Sequence, residues 1–390
     1  MSIFDIEHSP ENNFVKNNPK YLKSMFGTAE LQPFWIADMD FKVASAITES
    51  QTDIVERGIY AYEDITPMVT KAISDWNFRR HNLKLNPEYF IQVNGVLTAI
   101  AILLRTLSEE GDGVMIQTPV YHQFFSVIKG ANRKIIDNPL KFENSRYTFD
   151  FEQMENQLKS ESTKIILLCN PHNPVGRVWH QKELETLIKL ANQYQVTIVS
   201  DEVHSEIVYS NSKFNSILSF SNTENHIAIL GSPAKTFGMQ SNANGYIYVQ
   251  NKELFEKNYN LVTSMYLHHG GALTAYGTLA AYTKGEVWVN ELVMYLEETV
   301  NWIDNFLIND LPQITMIKPE GTYQVWLDFS KLKISEDELK ELMFKNAKLG
   351  LAPGYWFGDQ YNLFMRMNIA SPKQKIEDAF KTLKQVIDNL

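Results

Sequence analysis

Lys235 lies in Gly231-Ser232-Pro233-Ala234-Lys235-Thr236-Phe237-Gly238, directly after the apolar run Ile227-Ala228-Ile229-Leu230. The run reads as a buried strand, and the small residues after it read as a turn. A lysine at such a strand end is poorly placed for surface solvation. It is well placed to form a Schiff base in a pocket. Ser232, three residues upstream, could hydrogen-bond a phosphate. Two further segments have the same layout. Cys169-Asn170-Pro171-His172-Asn173-Pro174-Val175-Gly176-Arg177 follows Lys164-Ile165-Ile166-Leu167-Leu168, and Ser200-Asp201-Glu202-Val203-His204 follows Val196-Thr197-Ile198-Val199. Both put polar groups at the carboxyl end of a short apolar strand, where open α/β sheets bind ligands.

Two more segments carry charge-binding chemistry. Asn94-Gly95-Val96-Leu97-Thr98 is a turn between Phe90-Ile91-Gln92-Val93 and an apolar helix. Free N–H groups at a helix start favour an anion, and Gly95 lets the backbone come close to it. Arg366 sits within the otherwise apolar Phe364-Met365-Arg366-Met367-Asn368. A charge there needs a partner, either a ligand carboxylate held by two hydrogen bonds or a structural ion pair. Plainer roles are open for the others: Asp201 as a cap, His204 as a satisfied core histidine, Tyr121 as core, and Cys169 as a small buried side chain.

Together these segments resemble the pyridoxal-phosphate (PLP) enzymes of the aspartate-aminotransferase fold, fold type I of the class I/II superfamily. The resemblance runs from Trp35-Ile36-Ala37-Asp38-Met39-Asp40-Phe41 to the Arg366 strand. It implies that Lys235 binds PLP covalently and shuttles protons, that Asp201 holds the pyridine nitrogen, and that Asn173 donates to the phenolic oxygen. It places Tyr121, in Thr118-Pro119-Val120-Tyr121-His122, on the ring face, and His204 beside the cofactor where aminotransferases usually carry tyrosine. Gly95, Val96, Leu97 and Ser232 would hold the phosphate. Tyr62, in Gly58-Ile59-Tyr60-Ala61-Tyr62, would reach the partner subunit's phosphate, which implies a homodimer with shared sites. Arg366 would grip the substrate carboxylate with backbone near Ile36 and Ala37, and His122 would contact the substrate side chain.

Within that superfamily the motifs look like the cystathionine β-lyase branch, which includes modulators of maltose genes. The relevant stretches are the Trp35 segment, the Asn170–Trp179 loop and Asp201-Glu202-Val203-His204-Ser205-Glu206. Aminotransferases commonly carry a phosphate-binding arginine eight residues after the lysine; here that position is Ala243. The implied activity is α,β-elimination from L-cystathionine or another S-substituted cysteine, giving a thiol, pyruvate and ammonia. Two alternatives are an aminotransferase using a 2-oxo acid, and a lyase that also binds a transcription regulator. The chain departs from the branch at Ala234 and Gly238, which stand at the ends of a usual Ser-Lys-Thr-Phe-Asn, and at the polar pair Asn242 and Asn244.

These groups need a scaffold. Strand-like runs alternate with helical stretches over residues 45–285, the pattern of a mostly parallel sheet covered on both faces. The expected organisation is α/β: an N-terminal arm with part of a small domain (1–45), a large PLP-binding domain (46–286), and a small α+β domain (287–390) built with both chain ends. Residues 1–34 read as polar and irregular, broken by Pro10, Pro19 and Pro33, and 287–307 as a long bridging helix. An alternating strand covers 322–329, and a helix follows with a capping box (Ser335, Glu338), a staple (Ile334, Leu339) and a stop at Gly350. The 390 residues are 44% hydrophobic with 22 Phe, 18 Tyr and 7 Trp, enough for sizeable cores. A formal charge of −10 argues against nonspecific nucleic-acid binding. One cysteine permits neither an internal disulfide nor a cysteine metal cluster, and fits a reducing compartment. The N-terminus lacks a signal-peptide pattern, and no apolar run approaches the roughly 20 residues of a membrane span. Cytoplasm is the expected location.

Overall fold

The computed structural model describes residues 2–389 apart from Ser9, Pro10, Asn12, Glu161, Ala243 and His269. Pro10 and Ala243 of the sequence reading thus lie outside the described residues. Seven strands form the main sheet: β1 (Phe90–Val93), β2 (Gly113–Ile116), β3 (Lys134–Asp137), β4 (Thr163–Cys169), β5 (Thr197–Asp201), β6 (Ile227–Gly231) and β7 (Gly245–Val249). Their spatial order is β1-β7-β6-β5-β4-β2-β3. Only β7 runs against the rest, pairing antiparallel with both β6 and β1. The β-branched runs suit these strands because both faces are covered. Alternate side chains of β4 enter different cores, Ile166 and Leu168 on one face, Ile165 and Leu167 on the other.

β4, β5 and β6 are neighbours in register, with Cys169 beside Asp201 and Asp201 beside Leu230. The three polar segments that follow these strands are therefore brought into one row. At the other edge, Gly245 of β7 faces Val93 of β1. A Cβ on Gly245 would come within 2.9 Å of the Gly95 backbone, so glycine is what lets that turn close.

The described residues among 1–34 carry more regular structure than their polarity predicts. Helix α1 (Pro19–Phe26) starts on an Asn18 side-chain cap with proline at its first position, and ends on Gly27 in the left-handed conformation. Those signals are present in the sequence but hidden by its polar composition. Further along lie α2 (Val96–Leu107), α3 (Gln123–Gly130), α4 (Pro233–Phe237) and α5 (Glu286–Asp310). A second sheet is antiparallel throughout, with β8 (Thr315–Ile317), β9 (Gln324–Asp328), β10 (Ala352–Pro353) and β11 (Phe364–Asn368) in the order β8-β9-β11-β10. The Ser335–Glu338 capping box forms and opens α6 (Glu336–Glu341). Gly350 does not stop that helix. A π-type turn over Leu342–Asn346 follows α6, the left-handed residue is Lys348 at φ 52°, and Gly350 pairs instead with Pro33. The chain closes with α7 (Lys373–Ile387).

The N-terminal segment is joined to the second sheet at several points. Asn368 donates through Nδ2 to the carbonyls of Ile36 (2.7 Å) and Asp38 (2.5 Å), and the Asp40 N–H reaches the Ala370 carbonyl. Lys16, buried, pairs with Asp38 at 2.7 Å and Asp40 at 2.5 Å, and Asp40 also pairs with Lys375 of α7. Among the described residues no helix is long and apolar enough to cross a membrane.

Candidate active site

A cavity of about 310 Å³ opens where the ends of β4, β5 and β6 meet the β1–α2 turn. Lys235, Asp201, Asn173, His204, Tyr121, Ser232, Gly95, Val96, Leu97 and Ala37 all line it. Arg366, Ile36, His122 and Tyr62 do not. Arg366 lies directly behind Asn173, Ile36 is tied to Asn368, His122 lines a second cavity, and Tyr62 is 91% exposed on the outer surface.

Lys235 is on the first turn after β6, where Ser232 caps α4 by accepting from the Ala234 N–H. Its Nζ donates to the Ala37 carbonyl at 2.5 Å. Burial lowers its pKa to about 8, with Arg366 acting the same way and Asp38 and Asp201 opposing. Tyr323 of the segment entering β9 donates its hydroxyl to the same carbonyl at 3.1 Å. One oxygen therefore holds both donors.

Asp201 ends β5, and its carboxylate accepts from the Val203 N–H at 3.1 Å. Burial raises it to about 6, partly offset by that bond and by Lys235. Such a carboxylate is short of a cation or an N–H donor. His204 is lowered to about 3 by burial, then by Lys235 and Arg366, and stays neutral with Nδ1 unpartnered. Its ring meets Tyr323 edge-on at 5.5 Å. Cys169 also lines the cavity, almost fully buried, with its thiol pushed up by burial and kept protonated.

Arg366 is 1% exposed. Nη1 donates to Asn173 Oδ1 at 3.2 Å and Nη2 to the Trp35 carbonyl at 2.6 Å, while the group stacks 4.9 Å from the Phe357 ring centre. No carboxylate pairs with it among the described residues. Burial lowers its pKa to about 10. Because Asn173 spends Oδ1 on Arg366, its Nδ2 remains for the cavity. At the opposite end, α2 begins at Gly95 (φ 113°) with no side-chain cap. Its first N–H groups face a lining of Val96, Leu97 and Thr98. Ser232 Oγ donates to the Asn244 carbonyl at 2.5 Å.

These features fit PLP. An uncapped helix start suits a phosphate, a buried carboxylate suits a protonated pyridine nitrogen, Asn173 offers a donor, and a lysine of lowered pKa suits an aldehyde. A guanidinium without a carboxylate suits an amino-acid ligand. Sequence reasoning misses Tyr323 and Gln240, the latter also on the wall. Tyr323 sits in an alternating strand whose facing only the sheet pairing decides, and Gln240 carries no local signal.

Comparison with known proteins agrees with this geometry. Residues 37–383 match the family described as aminotransferase class I and II. The chain is 34% identical over 370 residues to cystathionine beta-lyase PatB of Bacillus subtilis (strain 168), covering 93% of this chain and 94% of that protein. It is 29% identical over 360 residues to protein MalY of Escherichia coli (strain K12), covering 92% of each. The structure superposes on cystalysin of Treponema denticola, which contains pyridoxal 5'-phosphate, with a TM-score of 0.93 and 26% identity over 99% of this chain and 98% of that one.

Proposed function

The chain belongs to the aminotransferase class I and II family, and from that premise we propose that it is a PLP-dependent carbon–sulfur β-lyase. It would cleave L-cystathionine or related S-substituted cysteines to a thiol, pyruvate and ammonia. The observation that carries this reading is the convergence of Lys235, Asp201 and Asn173 on one cavity, with Arg366 behind Asn173 and unpaired with any carboxylate among the described residues. The choice of elimination over amino transfer rests on relatives named as lyases.

When bound, PLP supplies a covalent hold on the substrate amine and an electron sink for charge developing at Cα. The start of α2, with Val96 and Leu97 after Gly95, would hold the phosphate, together with Ser232 once its hydroxyl turns from the Asn244 carbonyl. Tyr121 would support the ring face, Asn173 Nδ2 would be the donor for the phenolic oxygen, and Asp201 would hold the proton on the pyridine nitrogen. Arg366 clamps the α-carboxylate and so fixes the direction of the Cα–H bond. Lys235, as a free amine, takes the Cα proton and hands a proton to the departing sulfur. Its lowered pKa keeps a usable fraction of free amine near neutrality. His204, neutral and buried, adds no charge to the cofactor's surroundings.

Three coarser assignments accompany this reading. Residues 1–45 and 287–390 serve as the smaller unit against a PLP-binding unit of 46–286, in line with the contacts of Asn368 and Lys375 to the N-terminal segment. The assembly is a homodimer in which Tyr62 serves the partner's phosphate; Ile59 and Tyr60 beside it are 65% and 63% exposed. A single cysteine supports a reducing cytoplasm.

The test is incubation of the PLP-loaded protein with L-cystathionine and no oxo acid, following pyruvate and free thiol together. Equal release over many turnovers is expected. No release, with amino transfer once 2-oxoglutarate is added, would overturn the lyase reading. Lys235→Ala should lose the visible absorbance of the covalently held cofactor, and an unchanged band would remove Lys235 from its role.

A further inference from the structure

The Ala37 carbonyl is where the Lys235 amine, the N-terminal segment and the second sheet meet. Asn368 Nδ2 holds the carbonyls on either side of it, at Ile36 (2.7 Å) and Asp38 (2.5 Å), so the peptide between them is fixed from β11. Two donors converge on this fixed oxygen, Lys235 Nζ at 2.5 Å and the Tyr323 hydroxyl at 3.1 Å. Tyr323 is fully buried and lies edge-on to the His204 ring. Burial, then Asp38 and Tyr121, keep its hydroxyl protonated against the pull of Gln240 and Arg366, so it stays a donor. Gln240 lines the same cavity as Lys235, and its Nε2, buried without another partner, acts on the Tyr323 hydroxyl.

Two donors on one carbonyl oxygen compete. Each draws electron density toward itself and leaves the oxygen a poorer acceptor for the other. An ammonium gains more from an acceptor than an amine does, so a weakened acceptor favours the free amine. The other groups around Lys235 act through space. Burial favours its free amine, Asp38 and Asp201 favour the ammonium, and Arg366 opposes it, while His204 is neutral. An N–H from Gln240 onto the phenol oxygen polarises the hydroxyl toward Ala37 and strengthens its share of the carbonyl.

Taking Lys235 as the PLP-binding lysine of the proposed lyase, we propose that Tyr323, braced by Gln240, is a positioning residue for that lysine. By sharing the Ala37 carbonyl it gives the amine a fixed but loosely held place, from which the amine leaves to bond the cofactor and to which it returns when released.

The test follows covalent capture of PLP by the apoprotein, in which Nζ bonds the aldehyde carbon and water leaves. Capture is read from its visible absorbance as a function of pH. Tyr323→Phe leaves the oxygen to the lysine alone. The pH midpoint of capture should rise by about 0.7 unit, equivalent to about fivefold less free amine below it, or roughly 1 kcal/mol, the worth of one hydrogen bond. A purely structural tyrosine would slow capture or lower stability and leave the midpoint in place, so an unchanged or lowered midpoint would overturn the assignment. Gln240→Leu should raise the midpoint by a smaller step and add nothing in the Tyr323→Phe background. A further shift in that background would set Gln240 against the ligand and remove it from the arrangement. If Tyr323→Phe does not fold, Gln240→Leu decides alone: a rise supports the shared oxygen, and an unmoved midpoint refutes it. Failure of the Lys235 premise shows separately, as no covalent capture by the unsubstituted protein at any pH, and would overturn both readings.

Discussion

Arg366→Met separates a ligand clamp from a structural ion pair. Burial lowers the Arg366 pKa from 12.5 to about 10. At about 1.4 kcal/mol per tenfold change in acidity, keeping the guanidinium charged costs the folded protein on the order of 3 kcal/mol. Methionine removes that cost and fills much of the volume. Against it stand the lost bonds to Asn173 and Trp35, whose freed acceptors cost about 1–3 kcal/mol each. Together those two acceptors cost about 2–6 kcal/mol against the roughly 3 kcal/mol recovered, so the net loss is at most about 3 kcal/mol. Urea unfolding of the apoprotein should therefore show a loss below that figure. The substrate carboxylate, by contrast, loses two charge-assisted hydrogen bonds of roughly 1.5–3 kcal/mol each, so kcat/KM should fall by about 10²- to 10⁴-fold. Breaking a buried structural ion pair would instead destabilise by about 3–5 kcal/mol. A loss of that size, with kcat/KM of the folded fraction within about fivefold of the parent, would refute the clamp.

Other outcomes can be checked alongside. The rate at which apoprotein reacts covalently with pyridoxal phosphate should rise about tenfold per pH step up to about 8 and level off above it, following the free Lys235 amine; a midpoint near 10.5 would contradict the buried setting. Burial pushes Asp40 up, but Lys16 and Lys375 bring it down to about 2, below its ordinary 3.8. Its contribution to stability is thus complete above about pH 4 and lost as pH falls toward 2. Lys16→Met should flatten that acid limb in a denaturation series and destabilise by roughly 3 kcal/mol at neutrality. Tyr323→Phe removes one of two donors from the Ala37 carbonyl, and kcat/KM should fall about fivefold with the cofactor absorbance retained.

The parts of the site that are legible in the sequence share one trait: a polar group at the end of an apolar strand run or within four residues of it. Asp201 ends β5, and Asn173 and Lys235 each lie four residues beyond the ends of β4 and β6, because strands covered on both faces are apolar along their length and polar groups collect at the ligand edge just past them. Arg366 stands out for the converse reason, as a charge inside such a run. What is illegible depends on pairing across long separations. Tyr323 faces Ala37 because of how β9 sits in its sheet, and no local period distinguishes it from a core tyrosine. The second cavity joins side chains from Met25 to Gln360, so no segment announces it. Helix α1 is obscured by composition although its caps are spelled out, and Gly350 misleads because a π-type turn separates it from α6.

The contacts of the Trp35–Asp40 segment also fix when the protein becomes competent during synthesis. Trp35, Ile36, Asp38 and Asp40 are held by Arg366, Asn368, Ala370 and Lys375, more than 325 positions later in the chain. A ribosome that has made the lysine, the aspartate and the whole main sheet has still not made the groups that fix the carbonyl under Lys235. Until the last strand leaves the exit tunnel, the carbonyls of Trp35, Ile36 and Asp38 lack the donors that hold them in the finished fold. Premature termination between Lys235 and Arg366 would leave a chain with the reactive amine but without the clamp that directs it.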